Sequence, residues 1–133
     1  IETEEDARDR DRLFGHLGAL AGRAQSYEPL DIEEEEMVVD SQGHRETWDD
    51  VLRLQREGRE PEAFAAIEAP VCMLHGAEDP HPGEAIHERL RGVLPQLELV
   101  LLPRCGHEVW RERHARERFL RILRERLSAW AAA

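Results

Sequence analysis

Apolar residues along this chain follow two different spacings. In residues 4–24, Leu13, Phe14, Leu17, Leu20, Ala21 and Ala24 recur at three- and four-residue steps, which predicts an amphipathic helix. Thr3 ahead of Glu4, Glu5 and Asp6 supplies an N-cap and an acidic first turn. Gly15, Gly18 and Gly22 each weaken that helix by about 1 kcal/mol relative to alanine, so it needs tertiary support. Residues 26–36 contain Pro29 and the like-charged run Glu33 to Glu36, and read as a solvated loop. A short strand is expected at Met37-Val38-Val39 and a turn at Ser41-Gln42-Gly43. Thr47, with Asp50 three residues on, predicts a capped helix with Trp48, Val51 and Leu52 on its apolar side, ending at Gly58. Pro61 opens a further short helix through Ile67.

The second half changes character. Pro70 to His75 is an apolar run that stops at Gly76, the mark of a buried strand. Gly83 to Leu94 returns to helical spacing through Ile86, Leu90, Val93 and Leu94. Leu97 to Leu102 forms a second apolar run, closed by Pro103. Val109 to Trp130 reads as a long amphipathic helix with Phe119, Ile122, Leu123, Leu127 and Trp130 in its stripe. Strand, helix, strand, helix is a βαβα unit, so the two strands are expected parallel with a right-handed crossover. The fold class is α/β, and a helical segment precedes the sheet.

Such sheets bind ligands beyond the carboxyl ends of their strands. Just past the first strand stands His75-Gly-Ala-Glu-Asp79-Pro-His81. Past the second stands Pro103-Arg-Cys-Gly106-His107. A carboxylate and an imidazole therefore leave the same rim on successive loops. A carboxylate that accepts the Nδ1–H of histidine fixes its tautomer and leaves Nε2 as a base.

With those residues in place, the sequence resembles the C-terminal part of the α/β-hydrolase fold superfamily. The likeness rests on Pro70-Val-Cys-Met-Leu-His-Gly-Ala-Glu-Asp79-Pro and on Leu99-Val-Leu-Leu-Pro-Arg-Cys-Gly-His107, followed by Trp110 and Glu112. It is carried by residues 62–133, extends over 47–61, and leaves 1–46 in the place of a cap or lid. The resemblance implies that Asp79 is the catalytic acid and His107 the general base, on the last two parallel strands of a partial hydrolase sheet. The family often has proline two residues after the histidine, where this chain has Val109. It also implies a nucleophile in Gly-x-Ser-x-Gly on a strand-to-helix elbow. Ser26, Ser41 and Ser128 have no such context. The nucleophile and oxyanion hole are therefore expected upstream of Ile1, in a longer protein, and residues 1–133 are expected to be inactive alone. The expected function is ester or amide hydrolysis of a small molecule. Two alternatives stand beside it: a non-catalytic binding or regulatory module on the same scaffold, and an epoxide or haloalkane hydrolase with an upstream aspartate nucleophile.

Other residues carry plainer expectations. His75 is read as a strand-end packing residue, His81 and His87 as loop and helix-surface residues, and Trp110 as packing the last helix in preference to lining the active-site mouth. Cys72 and Cys105 are read as buried thiols rather than a disulfide. No zinc-motif spacing is present, so neither metal nor cofactor is expected.

Charge narrows the partners. The net charge is −11, with 18 arginines and no lysine against 29 acids. A net acidic chain without a basic stripe argues against nucleic acid or an anionic membrane surface. No run of 18 apolar residues is present, and the acidic start is unlike a signal peptide. With only two cysteines, the expected compartment is the cytoplasm. Two strands make a marginal sheet, so the missing half, or a second chain, is expected along its open edge.

Overall fold

The computed structural model describes residues 3–31 and 38–132. Its elements are α1 (Glu4–Ala24), α2 (Ser41–Arg56), a 3-10 turn (Glu62–Ala66), β1 (Val71–Gly76), α3 (Gly83–Leu90), β2 (Leu97–Leu102) and α4 (Arg116–Ala131). This is a mixed α/β arrangement around a two-stranded parallel sheet in which Val71 pairs with Leu97 and Gly76 with Leu102.

The strands form where apolar runs are punctuated by glycine and proline. Leu102, Cys105, Val109 and Ala115 make the central cluster, with Val100, Phe119 and Ile122 packed against it. The core thus lies at the carboxyl end of β2 and under the start of α4. The N-cap expected at Thr3 forms, and Asp6 completes it as a capping box: Thr3 Oγ1 accepts from the Asp6 amide, and Asp6 Oδ2 accepts from the Thr3 amide.

Four sequence expectations are corrected. First, the turn at Ser41 is helical, because Asp40 is the N-cap and accepts from the Gly43 amide at 2.8 Å. Ser41 is also anchored to α1 through Asp11 and Arg10. Thr47 therefore lies inside α2, where its hydroxyl donates to the Gly43 carbonyl. Second, no strand forms at Val38 and Val39; Val38 is 97% exposed, with no sheet to join. Met37 and the Glu33 to Glu36 run lie outside the described residues. Third, α3 stops at Leu90 rather than Leu94, and turns carry the chain into β2. Fourth, α4 begins at Arg116 rather than Val109. Residues 106–113 are instead committed to the segment after α1. Leu30 N–H donates to the Arg111 carbonyl, Arg113 N–H to the Glu28 carbonyl and His107 N–H to the Gln25 carbonyl, with an antiparallel bridge between Pro29 and Glu112.

The molecule exposes much apolar surface. Leu13, Leu17 and Leu20 on α1 are 62%, 60% and 58% exposed, and Trp48 and Leu127 are similarly open. A folded single chain of 15.4 kDa exposes about 7200 Å², whereas this one exposes 10278 Å². Among the described residues no helix is long and apolar enough to cross a membrane.

Candidate functional site

Because Gly76 and Leu102 are register partners, the loops after β1 and β2 leave the sheet side by side. Ala77 N–H extends the ladder to the Leu102 carbonyl, and Glu78 N–H donates to the Cys105 carbonyl. In return, Cys105 N–H donates to Glu78 Oε2 at 2.8 Å. Arg104, at φ 53°, turns the chain in the left-handed region between these contacts. The contact is tight enough to demand glycine. A Cβ on Gly76 would lie 2.1 Å from the Gly106 carbonyl oxygen, and one on Gly106 would lie 2.2 Å from that of Gln25.

This clamp brings the predicted acid and base together. His107 Nδ1 lies 2.8 Å from Asp79 Oδ2. The Asp79 side chain is 2% exposed and the His107 ring 49%. Two more groups meet the same carboxylate. His81 gives Oδ1 both its backbone N–H, at 2.9 Å, and its ring Nδ1, at 3.0 Å. His75 Nε2 donates to the His81 carbonyl at 2.7 Å and lies 3.4 Å from Asp79 Oδ2.

Burial pushes the Asp79 carboxyl toward the neutral form. The backbone N–H of His81 and the rings of His107 and His81 outweigh that effect, so the group sits below its ordinary value. An ionised carboxylate only accepts hydrogen bonds. Both Nδ1 atoms facing it therefore carry protons, which leaves Nε2 of His107 as the basic nitrogen.

The histidine loop is held from behind by Glu112, which is 1% exposed. Its carboxylate accepts from the amides of Tyr27 and Glu28, each at 2.8 Å, and of Gly106 at 3.0 Å. One buried side chain therefore ties the end of α1 to the residue preceding His107. Nothing in the sequence around Glu112 points to this role.

The remaining candidates fall into place around this pair. His75, expected only to pack at the strand end, sets its ring against Gly83 and also faces Asp79. His87 donates to the Leu97 carbonyl. His81, read from sequence as a plain loop residue, is a partner of Asp79. The signal was local: an aspartate accepting from the amide two residues on is an ordinary turn habit of that side chain. Cys72 and Cys105 are both free thiols. Burial, with Glu112, Glu78 and Asp79 nearby, pushes the Cys105 thiol up to about 12, so it stays protonated and is a poor nucleophile. Ser26 donates to the Gly22 carbonyl and Ser41 to Asp11. Among the described residues no serine, threonine or cysteine pairs with His107.

Next to the turn that follows His107 lies a groove of about 1470 Å³, lined by Phe14, Gly18, Gly22, His44, Glu108 and Trp110 among others. Trp110, expected to pack the last helix, is half exposed and lines this groove. No protein-family model matches the chain, and neither does any curated protein or solved structure.

Proposed function

We propose that this chain supplies the acid and the general base of an α/β-hydrolase-type serine hydrolase acting on an ester or amide. The nucleophile and oxyanion hole come from outside residues 1–133. The observation that carries the reading is the 2.8 Å bond from His107 Nδ1 to the buried, ionised Asp79. In the reaction, Nε2 of His107 takes the proton of the attacking serine and later returns it to the leaving group. Asp79 holds the ring in the correct tautomer and stabilises the imidazolium that forms. Assistance of this kind contributes on the order of 10²–10⁴ in rate. The large exposed surface and the leucines along α1 support a partner segment covering this chain.

A serine-directed fluorophosphonate tests the reading on the reading frame that contains residues 1–133. Labelling of a serine in a glycine-flanked elbow, lost in His107→Ala, is the expected result. Labelling that survives in His107→Ala removes His107 from the mechanism.

The groove lined by Glu108 and Trp110 favours one second reading, a binding module that uses the scaffold without catalysis. A reading frame with no nucleophile elbow decides for it.

A further inference from the structure

Three ligand-type side chains converge at one point on the rim. One donor atom from each of Asp79, His81 and His107 lies within 4.8 Å of the others. Each ring already reaches one oxygen of the same carboxylate: His81 Nδ1 lies 3.0 Å from Asp79 Oδ1 and His107 Nδ1 lies 2.8 Å from Asp79 Oδ2. Ligand atoms around a tetrahedral zinc at about 2.0–2.1 Å stand about 3.4 Å apart. A separation within 4.8 Å closes to that spacing by rotation of the two rings. Both rings have room for it, at 56% and 49% exposed, and both can be reached from solvent. The carboxylate is fixed by the His81 amide and backed by His75, so it is a preset anchor. Two imidazoles and one carboxylate suit zinc and its late first-row neighbours rather than magnesium or calcium.

We propose that Asp79, His81 and His107 bind a divalent cation of the zinc class, and that occupancy silences His107 as a base. The consequence for catalysis rests on the hydrolase reading; the binding site does not. The proton balance is explicit. Without metal, each Nδ1 carries a proton donated to Asp79, and Nε2 of His107 holds the lone pair. Coordination through Nδ1 requires that nitrogen to give up its proton to solvent, and Nε2 takes one from solvent. The ring stays neutral overall but is locked in the opposite tautomer. Its only lone pair is then bound to metal.

The test titrates zinc chloride into the whole protein, following the histidine ring nitrogens by ¹⁵N NMR and the affinity by calorimetry. Saturation at one equivalent is expected, with the protonated nitrogen of His107 changing from Nδ1 to Nε2. Loss of one ligand in His81→Ala is expected to weaken zinc at least about tenfold. That ring is exposed, so the fold is retained, and His107 Nδ1 still donates its proton to Asp79. His114→Ala, at the separate pair with Glu28, is expected to leave the affinity unchanged. Equal affinity in His81→Ala, a loss in His114→Ala, or no change of tautomer at saturation would each overturn the proposal. Because no turnover is read, the result is independent of whether hydrolysis is found.

Discussion

His107 donates its Nδ1 proton to Asp79 across 2.8 Å, although a helix and a strand separate the two residues in the chain. The relation follows from the parallel register. Gly76 and Leu102 end their strands side by side, and two glycines let the loops touch. The imidazole and the carboxylate then meet on one side of the sheet, with the carboxylate buried and the ring half open.

The position of Asp79 makes stability depend on pH in a defined sense. Its carboxyl lies below the ordinary range because the hydrogen bonds from His81 and His107 outweigh burial. A depressed value contributes stability that is fully present above the unfolded carboxylate range, near about pH 4, and is lost as pH falls through the folded value. Asp79→Asn is expected to cost about 1–3 kcal/mol near neutral pH, because a buried acceptor is replaced by an amide facing donors. Denaturant melts of both proteins from pH 7 to 3 check this, and the gap between them should narrow below about pH 4.

Glu112 is expected to act on the site through the backbone. In Glu112→Gln one of the three amides loses its acceptor and meets an NH₂ group instead, at a cost of about 1–3 kcal/mol. Amide exchange at Glu28, whose N–H faces the oxygen that the NH₂ group replaces, is the direct readout. It should accelerate in the variant while amides within β1 change less.

Cys105 is expected to resist thiol reagents in the folded protein. It is fully buried, and its thiol is pushed up to about 12. Reaction with a disulfide reagent at pH 8 should proceed at Cys105 only on the timescale of unfolding. Rapid native-state modification of Cys105 would show that the loop beneath His107 opens readily.

Much of the second half was legible because its signals are local and agree with one another. The apolar runs ending at Gly76 and Pro103 predict β1 and β2, and Asp79 and His107 stand directly after them. What escaped was set by contacts distant in sequence. The start of α4 moved to Arg116 because residues 106–113 bond to Gln25, Glu28 and Leu30. The start of α2 moved to Ser41, which Asp11 and Arg10 hold from α1. Glu112 gives no sign in sequence that three distant amides converge on it. On α1, Leu13, Leu17 and Leu20 do form the expected stripe, but this chain does not cover them.

The proposed hydrolase activity is tested most directly by ester turnover of the reading frame that contains residues 1–133, compared with its His107→Ala and Asp79→Asn variants. Measurable kcat/KM is expected in the parent, with a loss of at least about 10²-fold in His107→Ala, a smaller but clear loss in Asp79→Asn, and no turnover by residues 1–133 alone. Turnover that is unchanged in both variants would contradict the proposed roles of His107 and Asp79.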